Sequence, residues 1–322
     1  MAGLTGRGSE PTDEVRRVLA ELQTLTTEER NPRSMDIDLQ DTTGILHIIN
    51  NEDRTVADVV GGQIGAIARA VDLAAERMRS GGRLVYMGAG TSGRLGVLDA
   101  AECPPTFGTD PRQVIALLAG GSEAIVQARE GVEDREDDAV ADLRGAGLEA
   151  RDTLVALTAS RRTPYPLAGL RYARSVGAAT VFVTCNPAAS DDVADVVIAA
   201  VVGPEVLSGS TRMKSGTAQK LILNMISTAT MIRLGKTYQN LMIDLRPLSK
   251  KLEARRKGVL MKLLNVDYEH ATALLDGAGG AMKRALFMGL AHCDARDADR
   301  RLDAAGGVLR RALESLPPGS GR

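Results

Sequence analysis

Five short apolar runs recur along the middle of the chain: Leu84 to Met87, Val114 to Leu118, Leu154 to Leu157, Thr180 to Thr184 and Val196 to Ala199. Each is continuous rather than alternating, the mark of a strand covered on both faces. Segments of helical period separate most of them, near 93–102, 122–144 and 165–176. The pattern predicts an α/β fold with a five-stranded parallel sheet sandwiched between helices. Between Ile45 and Arg79, apolar residues such as Val56, Val60, Ile64, Ile67 and Val71 keep helical spacing, so one or two helices are expected there, ended by Ser80-Gly81-Gly82. Beyond the last run, Ala218, Leu221, Ile222, Met225, Ala229 and Ile232 make one stripe, predicting a long helix from about Arg212 to Leu234 closed by Gly235.

The two ends read differently from this middle. Residues 1–44 are polar with little periodicity, an N-terminal arm with a short helix near Val15 to Leu25, of the kind that lies across a neighbouring subunit. Residues 45–255 form the sheet domain. Residues 258–318 show three short helical patterns broken by Gly277, Gly279-Gly280 and Gly306-Gly307, so 256–322 reads as a small C-terminal helical domain. The basic run Lys250 to Lys257 between them reads as a solvated helix or linker.

Composition narrows the function classes. With aromatics at 2% and no Trp, the core of this 322-residue chain must be aliphatic. A net charge of −1 provides no basic field for nucleic acid or a membrane surface. Cys103, Cys185 and Cys293 are far apart, without C-x-x-C spacing or a nearby histidine cluster, so they read as small buried apolar groups rather than a disulfide frame or a zinc site. His47, His270 and His292 lack a serine elbow or metal spacing. The first residues carry no apolar signal core and no run approaches the ~18 residues of a membrane span, so a cytoplasmic protein is expected.

The chemistry concentrates after the first strand, in Gly88-Ala89-Gly90-Thr91-Ser92-Gly93. A strand, a glycine-rich turn and a helix starting near Leu95 aim main-chain N–H groups and a positive dipole end at one spot, which suits a phosphate. The glycines satisfy G-x-G-x-x-G, yet the dinucleotide reading requires an acid at the end of the next strand, where Ala119-Gly120-Gly121 stands instead. Thr91 and Ser92 can either cap the helix or donate to a phosphate oxygen. A second hydroxyl-rich turn, Thr158 to Pro164, follows the third strand and repeats the arrangement, so two turns could grip one phosphate from two sides.

Carboxylates supply the candidate acids and bases. Pro104 and Pro105 should stop the first helix, leaving Glu102 at its C-terminal end, where the dipole favours a protonated carboxyl, with Asp99 one turn before it. Glu130 and Glu133 are expected on one helix face, crowded by Asp134, Asp137 and Asp138. On the residues alone the solvated surface is the favoured reading of each group, and nothing selects Glu133 among its neighbours.

The stretches Gly88 to Pro105, Thr158 to Tyr165 and Gly209 to Lys220 closely resemble the N-acetylmuramic acid 6-phosphate etherases, lyases built on a sugar isomerase (SIS) domain. Asn31-Pro32, Ser34 to Asp38 and Asn51-Glu52-Asp53 extend the similarity into the arm. The resemblance implies a SIS sheet with a small helical domain, a homodimer, and cleavage of the lactyl ether of N-acetylmuramic acid 6-phosphate during cell-wall recycling, without metal or cofactor. It places Glu102 as catalytic acid and Glu133 as second catalytic glutamate, and the elimination, which needs a base beside the acid, assigns that part to Glu133. Gly90, Thr91, Ser92, Ser160 and Thr163 fall where the fold binds sugar phosphate. One departure stands out: the family turn reads Ser-Gly-Arg-Thr-Pro, and here Arg161 replaces the glycine, straining the turn if that position needs positive φ or offering a phosphate contact. A ketose/aldose isomerase of the same superfamily and a non-catalytic sensor like the glucokinase regulatory protein, which carries a duplicated SIS domain, are the rival readings.

Overall fold

Each apolar run becomes a strand, within one residue of its expected bounds. β1 (Leu84–Gly88), β2 (Val114–Leu118), β3 (Thr153–Thr158), β4 (Ala179–Thr184) and β5 (Val196–Ala199) pair in parallel in the order β2-β1-β3-β4-β5. This is a computed structural model that describes residues 22–190, 192–244 and 250–316, together with Arg16 and Ala20. Most of the short helix expected at Val15 to Leu25 lies outside the described residues.

Alternate residues of the strands feed two aliphatic cores, one on each face of the sheet. Leu84, Tyr86, Val155, Leu157 and Val181 face α2 (Val56–Gly61), α3 (Ile64–Arg79), α4 (Gly90–Phe107) and α8 (Lys214–Arg233) on one side, whose buried apolar residues join them, while α1 (Thr42–Asp53) buries only Glu52. Val85, Met87, Leu154, Ala156 and Phe182 meet α6 (Glu136–Gly145) and α7 (Pro164–Ser175) on the other. A third core, around Leu260, Leu275, Leu286, Phe287 and Leu309, is built by α9 (Lys250–Leu264), α10 (Tyr268–Gly277), α11 (Met282–Ala291), α12 (Ala295–Ala304) and α13 (Leu309–Glu314). Where three C-terminal patterns were expected, four helices follow α9, because the break at His292 is made by a left-handed residue (φ +51) and not by glycine. Cys103 and Cys185 are buried, and burial pushes both thiols up to about 12, as suits apolar filler. No helix among the described residues is long and apolar enough to cross a membrane.

The strand order reverses between β1 and β3, whose neighbours lie on opposite sides, and such a switch point opens a crevice at the carboxyl ends of the strands. The approach of α4 to β1 is what the glycines serve. A Cβ on Gly93 would lie 2.4 Å from Gly88 O and from Leu118 Cδ1, so only glycine lets the helix start this close to the sheet.

The described part of the arm docks on the body of its own chain. Thr26 donates its N–H and hydroxyl to Asn186 Oδ1 (2.8 and 3.0 Å), and Ser34 Oγ donates to Val206 O (2.8 Å). Its deepest anchor is Glu52, 3% exposed, which accepts from Asn31 Nδ2 (2.9 Å), Arg33 Nη2 (2.8 Å) and Lys214 Nζ (2.8 Å). Lys214 is fully buried and also donates to Val202 O (2.9 Å). The hydrogen bonds from Arg33 above all, and from Lys214 and Asn31, hold the Glu52 carboxyl down at about 2 against the cost of burial.

Candidate active site

The turn after β1 and the turn after β3 open into one cavity at the switch point, with the segment that follows β2 as its third wall. Ala89 to Ser92, Arg94, Thr158 to Ser160, Thr163, Glu130, Glu133, Arg129, Thr211 and Glu28 line it. Gly90, Thr91, Ser92, Ser160, Thr163 and Glu133 are therefore brought together as the sequence reading grouped them.

At the first turn, α4 begins earlier than expected, at Gly90 rather than near Leu95. Its N-cap is Ala89, which has no side chain to cap with, so Thr91 and Ser92 sit inside the first helical turn and do not cap it. That removes the capping alternative and leaves first-turn amides without helical acceptors beside two hydroxyls. Gly90 takes φ +53, which turns the chain from strand to helix.

At the second turn, the hydroxyls of Thr158, Ser160 and Thr163 form a cluster: Thr158 Oγ1 is 2.8 Å from Thr163 Oγ1 and 3.3 Å from Ser160 Oγ. Thr163 is the N-cap of α7 without a side-chain capping bond, so its hydroxyl remains in this cluster. Arg161 adopts φ +65, the left-handed region for which the family glycine is suited. Its side chain does not line the cavity; Nε donates to Asp192 Oδ1 at 2.7 Å. Arg161 thus stands outside the cavity lining and pairs with Asp192, while its backbone keeps a conformation that L residues rarely adopt. We expect Arg161→Gly to keep kcat/KM within about twofold, whereas Arg161→Val, which is β-branched and loses the pair, costs about 1–2 kcal/mol in urea unfolding and raises KM.

The acids depart from expectation in two ways. The helix expected over 122–144 breaks into α5 (Glu123–Val126) and α6, separated by turns in which Gly131 takes φ +76. Glu130 and Glu133 therefore share no helix face; the intervening turns carry both to the cavity, and Glu133 O accepts from Tyr165 N (3.0 Å), tying its turn to α7. Second, Pro104 and Pro105 do not stop α4, which runs on to Phe107 and ends at left-handed Gly108. The prolines leave the carbonyls of Ala100 and Ala101, four residues before them, without ladder hydrogen bonds, and the helix runs on through them. Glu102 is then inside the helix, not at its C-terminal end. It lies twelve residues beyond Gly90, about 18 Å along the axis, outside the residues lining its own chain's cavity. Asp99, by contrast, is buried: it accepts from Tyr86 (2.7 Å), Asn224 (2.7 Å) and Ser227 (3.1 Å), and burial pushes its carboxyl up.

Four polar lining residues are not among the expected site residues: Glu28, Arg94, Arg129 and Thr211. Arg94 Nε donates to Ala124 O (3.0 Å) and Arg129 Nη1 to Gly120 O (3.3 Å), so both arginines fasten the segment that carries Glu133. Thr211 belongs to the Gly209 to Lys220 run, a signal that was available. Glu28 reaches the cavity only through docking of the arm, which no local pattern announces.

Residues 66–174 match the family model of the glucokinase regulatory protein N-terminal SIS domain. The N-acetylmuramic acid 6-phosphate etherase of Clostridium beijerinckii is 52% identical over 268 residues, covering 82% of this chain and 88% of that one. The etherase of Bacillus subtilis is 51% identical over 267 residues (82% and 88%), and that of Streptomyces avermitilis 51% over 272 residues (84% and 88%). At half-identity across four-fifths of its length, with the hydroxyl turns and Glu133 at one cavity, the chain belongs to the N-acetylmuramic acid 6-phosphate etherase family.

Proposed function

We propose that the chain cleaves the D-lactyl ether of N-acetylmuramic acid 6-phosphate, yielding N-acetylglucosamine 6-phosphate and D-lactate, as a cytoplasmic carbon–oxygen lyase of amino-sugar recycling. The observation that carries this, within an etherase family, is the single cavity lined by Thr91, Ser92, Ser160, Thr163 and Glu133. The first-turn amides of α4 and the four hydroxyls hold the phosphate. With the sugar ring open, the aldehyde acidifies the proton on carbon two. The Glu133 carboxylate takes that proton, the electron pair forms the bond between carbons two and three, and the carbon–oxygen bond at carbon three breaks with its pair on the lactyl oxygen. An alkoxide leaves poorly, so that oxygen takes a proton from the Glu102 carboxyl as it goes. Water then adds hydroxyl to carbon three and a proton to carbon two.

Glu102 fits this role in a homodimer. It is exposed on α4 one turn after Leu98, itself 55% exposed, and an apolar groove of Ile64, Ile67, Val71, Leu221, Met225 and Ile232 runs between neighbouring α3 and α8. A two-fold contact over this groove would bury it, and the acid role requires that contact to bring Glu102 to the cavity of the partner. On this reading residues 45–255 are the sugar-phosphate unit and 256–322 the accompanying helical unit.

Purified protein given N-acetylmuramic acid 6-phosphate is expected to release D-lactate and N-acetylglucosamine 6-phosphate in equal amounts, read by a coupled lactate dehydrogenase assay. A sensor, the reading favoured by the regulatory-protein model match, binds sugar phosphate without lactate appearing, and an isomerase changes the sugar without lactate. Either result overturns the proposal.

A further inference from the structure

One polar pair beside the phosphate turn has its donors in the wrong place for an anion. Ser92 Oγ donates to Gln219 Oε1 at 2.9 Å, so the one hydroxyl proton of Ser92 points away from the cavity it lines. Gln219 is 1% exposed, and its Nε2 has no hydrogen-bond partner among the described residues. A buried amide donor without a partner costs about 1–3 kcal/mol, more than an under-satisfied carbonyl costs. Gln219 projects from α8, which passes close to the turn: a Cβ on Gly216 would lie 3.4 Å from Thr91 Cγ2.

A half-turn of the Gln219 amide about its last side-chain bond, a soft two-fold torsion, exchanges Oε1 and Nε2. Nε2 then donates to Ser92 Oγ, the orphan donor acquires its acceptor, and the Ser92 proton is released toward the cavity. An anion there rewards this second arrangement, since a hydroxyl donating to a charged oxygen makes one of the stronger hydrogen bonds. Without the anion, the first arrangement keeps the Ser92 proton bonded.

We infer that Gln219 is a positioning residue for substrate: its amide orientation decides whether Ser92 donates to the sugar phosphate. The inference rests on the reading that this cavity takes a sugar phosphate. It gives Gln219, buried and outside the cavity, a share in substrate affinity that it exerts only through Ser92.

The test is a double-mutant cycle read by calorimetric binding of N-acetylglucosamine 6-phosphate to the full chain, using Gln219→Met, Ser92→Ala and the double variant. Met keeps the length of Gln and removes its donor; thermal unfolding checks each fold. The expected result is binding about tenfold weaker for Gln219→Met and a double variant no weaker than Ser92→Ala alone. In turnover, Gln219→Met raises KM by the same factor and leaves kcat within about twofold. Should Met not fold at this buried site, Gln219→Glu preserves the shape but only accepts, and must also weaken binding tenfold or more. Unchanged binding in these variants, or a double variant in which the two losses multiply, overturns the inference while the sugar-phosphate reading stands. Wild-type protein that fails to bind the sugar phosphate overturns both.

Discussion

Glu133→Gln is expected to lower lactate release by about 10²–10⁴-fold, the range a positioned base contributes, while N-acetylglucosamine 6-phosphate still binds. The amide keeps the shape of the carboxylate and the main-chain bond from Tyr165, so the loss reports on proton abstraction alone. Glu102→Gln is expected to be equally inactive, although it sits about 18 Å along α4 from the phosphate turn. Mixing the two dead variants separates the geometries. If each site takes Glu133 from one subunit and Glu102 from the other, a mixed dimer has one intact site, and random reassociation returns about a quarter of wild-type activity. If both acids serve their own chain, every site in the mixed dimer lacks one of them and the mixture stays silent. Silence after verified subunit exchange would remove the across-subunit role of Glu102.

Lys214→Met is expected to cost about 3–5 kcal/mol of stability, because it leaves Glu52 buried with one fewer positive partner. The same network sets an acid limit. The folded-state value of Glu52, about 2, lies below its ordinary value near 4.5, so its contribution is complete above about pH 4.5 and is lost as pH falls toward 2. The shift corresponds to about 3 kcal/mol. Urea unfolding midpoints measured at pH 5.5 and pH 3 should therefore converge in Glu52→Gln relative to wild type. An unchanged acid dependence in that variant would show that the network adds nothing over this range.

What could be read in the chain follows from which interactions are local. β1 to β5 were legible because continuous apolar runs have little choice but a covered sheet, and the two hydroxyl turns because strand, glycine and helix follow each other directly. The helix over 122–144 was misread because a charged run with helical spacing looks like a wet helix face, while the turn at Gly131 is specified by one left-handed residue. The end of α4 was misplaced because prolines usually stop helices, and here the helix runs through two of them to left-handed Gly108. Glu133 could be drawn from its acidic neighbours only by the family resemblance, since its selection depends on Arg94, Arg129 and Tyr165 tethering the loop. The docking of the arm was invisible: Asn31, Ser34 and Glu52 find partners at 204, 206 and 214, and no local pattern encodes a pairing across 162 residues.

That long reach has a consequence for how the molecule is made. Synthesis runs from the amino end, so Glu52 leaves the ribosome well before Lys214 exists, and the arm must wait with its anchor unmade while the whole sheet emerges. Closing so large a loop carries an entropic cost, and it comes late. The wall that Glu28 contributes is thus among the last parts completed, and a nascent chain halted before residue 214 would own a finished phosphate turn in an unfinished vessel.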